Sequence, residues 1–417
     1  MDLSIVAKIV RDVFRIDQLN LPKADVLTVA HDNDRSFFYD SKWYSPLMDT
    51  IEDDLHARGV SCVSVARVIS RIKGDLAYAD VHSPEGAFAR ALVSKRLQGV
   101  LRPGRYAYSV AEERVWQQIL DQTGAKKVLA IQPSRELCVA CRRSGVWVAD
   151  VQHGVISETH PWYGVKFRGS DPVEWLPNAF LCWDAGSAEV IDVWADGENV
   201  KTIITGNRWL VRFVRNLPED RLVSALTDAS SRFHFKADPR PTILVSFSWG
   251  EINIPNGFMV DEVVDAIHAT SSDYRWLVRL HPNQLNGFAT QEGRRFGDFF
   301  KNRLEGHVEW ELPTRSPLPL VLQHVDLHIA WNSSVVIEAA QMGIRSALLD
   351  PRLRDPNQLG DSYSYYRNVG MIDFVDAKTT QKWLSTNIKT KISPDSFDEI
   401  DKIYIQLLDD VLVKKST

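Results

Sequence analysis

The sequence predicts an α/β protein made of two doubly wound, Rossmann-like domains. Three observations carry this. Short β-rich runs alternate with helical stretches along the chain, the pattern of parallel sheets with crossover helices. The strands fall into two sets, separated by a charged stretch without a clear strand. The length of 417 residues, at roughly 150 per domain, supplies two or three domains with sizeable cores.

The first 16 residues read as an amphipathic helix, with Leu3, Val6, Val10 and Val13 at helical spacing. The first set of strands is ADVLTVAH (24–31), GVSCVSVARV (59–68), KKVLAIQP (126–133), GVWVADVQ (145–152), NAFLCWD (178–184) and VKTIITG (200–206), with helices over 134–143 and 186–195. A linker is expected over 208–240, closed by ADPRP (237–241). The second set is TILVSFS (242–248), YRWLVRL (274–280), HVEWEL (307–312), VDLHIAW (325–331) and RSALLD (345–350). Helices are expected over 258–270, 315–323 and 334–342. The expected domains are therefore 1–207 and 241–396, followed by an amphipathic helix over 397–417. Open α/β sheets bind ligands beyond the carboxyl ends of their strands, so the expected site lies at strand-end loops, in a cleft between two facing domains.

Composition narrows the function. Lys plus Arg number 49 and Asp plus Glu 54, a net charge of −5, without the basic excess of a nucleic-acid binder. Four cysteines are too few for a disulfide scaffold, and the lone CxxC of Cys138 and Cys141 lacks the second pair a zinc site needs. Its flanks read as a helix in which both are small buried residues. Charges interrupt the apolar N-terminus, so no signal peptide is expected. No run of ~18 apolar residues occurs. A cytoplasmic protein is the expectation. The amphipathic ends are expected to pack on the domains, because their polar faces lack the Lys/Arg richness of interfacial helices; peripheral contact with an inner membrane is the alternative.

Chemistry-bearing residues gather in a few loops. Asp150 to Gly164 reads DVQHGVISETHPWYG, placing Asp150, His153, Glu158 and His160 just after a buried strand. His153 is the leading general base, since Gly154 permits a sharp turn that leaves the imidazole accessible. Asp150 reads as an orienting partner or, in a retaining reaction, as a nucleophile, a role open to Glu158 also. In the second set His281 and Pro282 follow YRWLVRL, and proline holds the histidine extended. WNSSVVIEAAQMG (331–343) is a strand–turn–helix unit in which Ser333 or Ser334 would cap the helix and its first-turn amides would face a phosphate. Glu338, one turn later, would accept from ribose hydroxyls. The loop containing Trp249, Gly250 and Glu251 would bring backbone amides to a donor phosphate. Thr205–Arg208 reads first as an ordinary connecting turn, with Arg208 facing the cleft as the alternative, and Asp32-Asn33-Asp34 reads as a solvated loop. No Walker motif, GxGxxG or GxSxG is present, which excludes ordinary ATPases, NAD-dependent dehydrogenases and α/β-hydrolases.

DVQHG, IITGNRW, RLHPNQ and WNSSVVIEAAQMG together resemble GT-B glycosyltransferases over about residues 126–350. The His-Pro and Ser-Ser pairing is similar to that of bacterial sialyltransferases and Kdo transferases of capsule and lipopolysaccharide synthesis. That resemblance implies that His281, Pro282, Ser333 and Ser334 hold the CMP of a donor. HG followed by His-Pro and a serine-bearing helix start also resembles CDP-glycerol polyol-phosphate transferases, which implies His153 as base. HPN, SS and TGN are similar to segments of UDP-N-acetylglucosamine 2-epimerases. The expected function is transfer of a sugar from a nucleotide-activated donor, CMP-Kdo or a related CMP-sugar first, to a surface-glycan or lipid-linked glycan acceptor, without cofactor or metal. The alternatives are a CDP-polyol phosphotransferase, a UDP-sugar 2-epimerase, and a nucleotide-binding protein without catalysis.

Overall fold

A computed structural model of the chain describes residues 3–15, 20–67, 70–101, 106, 108–195, 197, 199–231, 238–248, 254, 257–281, 284, 291–355, 357–360, 362–388 and 397–409. They form two compact units, one of Met1–Arg208 with Asp398–Thr417, the other of Trp209–Phe397.

The first unit is built on a parallel sheet. Its strands are β1 (Val26–Ala30), β4 (Cys62–Ala66), β5 (Val81–His82), β6 (Lys127–Ala130), β7 (Trp147–Val151), β8 (Ala179–Cys182) and β9 (Lys201–Ile204), in the order β5-β4-β1-β6-β7-β8-β9. A short antiparallel hairpin of β2 (Phe37–Tyr39) and β3 (Lys42–Tyr44) stands apart. Every residue of β1 is buried, as a central strand covered on both faces must be. One face packs Leu27, Val29 and Val128 against Trp116, Ile119 and Leu137. The other packs Val26, Leu129 and Ala149 against Met48, Ile51 and Leu55, and also against Tyr404, Leu407 and Leu408 from the C-terminal helix.

The second unit repeats the plan with β10 (Thr242–Ser246), β11 (Arg275–Arg279), β12 (Val308–Glu309), β13 (Leu327–Ala330), β14 (Arg345–Leu348) and β15 (Ile372–Phe374). All pair in parallel, in the order β12-β11-β10-β13-β14-β15. His328 lies buried in its middle, with Nδ1 3.0 Å from Ser346 Oγ and Nε2 2.9 Å from Ser246 Oγ. One imidazole thus joins the side chains of three neighbouring strands.

In each sheet the strand order reverses direction once, between β1 and β6 and between β10 and β13. These are the topological switch points where doubly wound folds expose a ligand crevice. The candidate loops follow β1, β10 and β13, which border these points, and β7 and β11, one strand further out.

Two expectations need correcting. The 208–240 stretch, read as a linker, carries the helices Arg208–Arg215 and Arg221–Ser231. Trp209, Leu210, Val211 and Phe213 bury the apolar side of the first, a pattern masked in sequence by its arginines. The C-terminal helix, Asp398–Leu407, set apart from both domains in the sequence reading but expected to pack on them, belongs to the first unit.

Candidate functional site

In the first unit the carboxyl ends of β1, β6 and β7 bring together a set of polar groups. The turn after β1 places Asp34 so that its Oδ2 accepts from the backbone N–H of His31 at 2.7 Å. Its Oδ1 lies 3.2 Å from Nε2 of His153, at the end of β7. Asp34 is buried, whereas the His153 side chain is 43% exposed. Gly154 follows at φ 80°, a left-handed conformation that turns the chain away from the imidazole. A carboxylate on Nε2 favours the Nε2–H tautomer, in which Nδ1 carries the lone pair.

Asp150 is fully buried. Its Oδ1 accepts from the Gln132 N–H at 2.9 Å, and Gln132 adopts a left-handed φ of 51° there. Among the described residues its Oδ2 has no hydrogen-bond partner, and the indole N–H of Trp162 approaches without reaching hydrogen-bond geometry. Burial pushes the Asp150 carboxyl up to about 7, against the opposing pull of the Gln132 N–H, Arg168 and Arg67. Arg67, at the end of β4, donates to the carbonyl of Ile131 and lies 6.0 Å above the Trp162 ring. Burial lowers its pKa, while Asp34 and Asp150 favour its charge.

The 153–164 loop is pinned at several points. Gln152 donates to the Gly154 carbonyl at 2.8 Å and to Ser187 Oγ at 3.0 Å, and accepts from the Trp183 N–H at 2.6 Å. The His153 N–H donates to the Tyr163 hydroxyl at 3.3 Å. The N–H of Trp162 donates to His160 Nδ1 at 3.1 Å, and the His160 ring packs on Tyr163 at 4.9 Å. Burial first, then the charge of His153, lowers the His160 pKa and keeps it neutral. Glu158 is exposed and makes no side-chain hydrogen bond or ion pair among the described residues, so it does not join the cluster.

Two readings change here. Asp34, expected in a solvated loop, is the buried partner of His153. Arg208, for which facing a cleft was the alternative reading, is instead buried on Asp401 at 2.8 Å, with its guanidinium 3.8 Å from the Tyr404 ring centre. Cys138 and Cys141 are buried in the helix Arg135–Arg143, and burial pushes both thiols up. Among the described residues no three His, Cys, Asp or Glu side chains converge as a metal site.

The second unit carries the other candidates. The N–H of His281 donates to Gln284 Oε1 at 2.8 Å, which holds the backbone beyond β11. Ser248, after β10, donates to the Asn332 carbonyl at 2.6 Å, and Tyr363 donates to Asn332 Oδ1 at 2.7 Å. These bonds tie the loop after β13 across the switch point. Ser333 accepts from the Val335 N–H at 3.4 Å, while Ser334 occupies the cap position without a side-chain cap bond. The expected capping thus falls to Ser333, and Ser334 keeps a half-buried hydroxyl at the helix start. Glu338, assigned from sequence to a ribose, faces the positive charge of Arg279, which donates to the carbonyls of Pro313 and Ser316. Trp249, Gly250, Glu251 and Pro282 lie outside the described residues.

No family model matches the chain, and no curated protein sequence matches it significantly. Solved structures do match it. The UDP-GlcNAc 2-epimerase of Methanocaldococcus jannaschii, in complex with UDP-GlcNAc and UDP, is similar with a TM-score of 0.56 at 10% identity, over 92% of this chain and 99% of that one. The Neisseria meningitidis UDP-GlcNAc 2-epimerase bound to UDP-GlcNAc gives 0.52 at 12%, over 91% and 93%. The wall teichoic acid polymerase TagF gives 0.52 at 12%, over 98% and 92%. The fold is GT-B. A GT-B chain carries two Rossmann-like domains, here the β1–β9 and β10–β15 units. At these identities the likeness fixes the architecture and leaves the chemistry to the residues.

Proposed function

We infer that this chain is a glycosyltransferase that moves a sugar from a nucleotide-activated donor to a glycan or lipid-linked glycan hydroxyl. The observation that carries this reading is the 3.2 Å approach of the buried Asp34 carboxylate to His153 Nε2, at a switch point of the first sheet. The hydroxyl oxygen attacks the anomeric carbon, and the bond from that carbon to the donor phosphate breaks. The nucleotide leaves with the bonding pair, and the hydroxyl proton passes to His153 Nδ1. Asp34 orients the ring and stabilises the imidazolium. Asp150 braces the strand end through the Gln132 N–H. The donor nucleotide is assigned to the second unit, with His281, Ser333 and Ser334 as its contacts. CMP is the first choice, supported by the His-Pro and Ser-Ser resemblance.

The test is transfer by the purified protein with CMP-, CDP- and UDP-linked sugars. His153→Ala and Asp34→Asn are expected to lower turnover by roughly 10²–10⁴-fold while nucleotide binding, read by thermal shift, persists. Lost nucleotide binding with an unchanged catalytic rate would reverse the assignment. Sugar-nucleotide epimerisation is the second reading, supported by the epimerases that share the fold over nearly the whole chain. Product formed from UDP-GlcNAc alone, with no acceptor, would establish it instead.

A further inference from the structure

The first unit contains a cavity of about 600 Å³, lined by the helices Glu85–Leu101 and Val110–Thr123. Two of its lining residues, Arg67 and Trp162, also flank Asp150. Its interior is apolar: Phe88 and Trp116 are buried and pack with ring centres 4.8 Å apart, beside Leu92. Part of its rim is apolar as well. Val100 lines it yet is 80% exposed, and Leu97 and Val93, also exposed, lie on the same helix face by their spacing.

The charged lining is unequal. Lys95 is neutralised, with Glu136 at 2.9 Å and Glu112 at 3.1 Å. Arg67 donates to a carbonyl, and Arg96 is exposed on the rim; neither meets a carboxylate at ion-pair distance among the described residues. A half-buried guanidinium without a contacting counter-ion favours an anionic ligand group. The half-buried Arg67 and the exposed Arg96 beside an aromatic and aliphatic interior suit an amphiphile better than a neutral sugar.

We propose that this cavity binds a lipid phosphate, the anchor of the acceptor, with its apolar chain on Phe88, Leu92 and Trp116 and its phosphate between Arg67 and Arg96. As an acceptor site it rests on the transferase reading above; as a binding site it needs nothing from the second unit. The phosphate at Arg67 sets the acceptor's reactive end toward the Asp150 and His153 side of the unit.

The experiment is calorimetric binding of decyl phosphate below its micelle-forming concentration, with 1-decanol and inorganic phosphate as separate arms. Decyl phosphate is expected to bind at least about tenfold tighter than either, and Arg67→Gln and Arg96→Gln each to weaken it about tenfold. Arg96 is exposed, so its variant tests the proposal even if the Arg67 variant fails to fold. Equal binding of decanol, saturation by inorganic phosphate alone, or unchanged affinity in Arg96→Gln would overturn the proposal. Thermal shift with CMP, CDP and UDP runs in parallel. Nucleotide binding without decyl phosphate binding removes the cavity assignment only. Decyl phosphate binding with no nucleotide or nucleotide-sugar bound keeps the lipid-phosphate site and removes the transferase reading.

Discussion

Asp150 holds one oxygen against a backbone N–H, while the other makes no hydrogen bond among the described residues, at the core of the first sheet's carboxyl edge. Burial raises its carboxyl from 3.8 to about 7, so between those values the folded chain holds a proton that the unfolded chain releases. The stability from that proton is complete below pH 4 and is lost as pH rises through 7. Asp150→Asn keeps the oxygen that accepts from Gln132 and carries no charge. Its stability relative to the parent should therefore climb between pH 4 and pH 8, by an amount on the order of a few kcal/mol; urea unfolding at both pH values checks this. The comparison is needed because burial also raises Asp49 to about 7, which tilts the parent curve the same way. His328 acts with the opposite sign. Burial lowers it from 6.5 to about 3, so its contribution is complete above pH 6.5 and is lost as pH falls toward 3. His328→Leu should flatten that acid limb and, by orphaning the hydroxyls of Ser246 and Ser346, cost about 1–3 kcal/mol at pH 7.

The element that holds the proposed base is the loop from His153 to Gly164, and its shape depends on its last residue. A Cβ on Gly164 would stand 2.0 Å from the Glu158 carbonyl oxygen and 2.9 Å from that of His160. Both obstacles are backbone, which cannot rotate aside. Gly164→Ala should lower stability by about 1–3 kcal/mol and reduce turnover through His153, as thermal unfolding and initial rates would record. At this scale much was legible. The long β-branched runs gave strands within a few residues of their observed ends, because a strand buried on both faces cannot hide its apolar content. The hairpin Phe37–Tyr44 was not read. Its turn places Asp40 and Ser41 at φ 48° and 64°, a geometry usually announced by Asn-Gly, and Asp-Ser is a weaker signal. His153 was legible from the glycine beside it. Asp34 was not, because what buries it is β7 lying one strand beyond β6, and strand order leaves no trace in local spacing.

At the scale of the whole molecule, the chain leaves the first unit at Arg208 and returns at Asp398 to complete it. Arg208 is buried against Asp401, and the Tyr404 hydroxyl donates to Asp54 at 2.8 Å. Asp401→Ala would leave a buried cation without its carboxylate and should cost about 3–5 kcal/mol, seen as a lower melting temperature. The sequence showed the amphipathic character of this helix but not its destination, since Tyr404, Leu407 and Leu408 meet residues more than 300 positions earlier. That separation bears on how the protein is made. At typical synthesis rates the ribosome needs roughly 10–40 s to pass from residue 209 to residue 397. Throughout that interval the nascent first lobe lacks Tyr404, Leu407 and Leu408, and the part of its sheet face beside β9 that they cover stays bare, a window in which a chaperone can engage it.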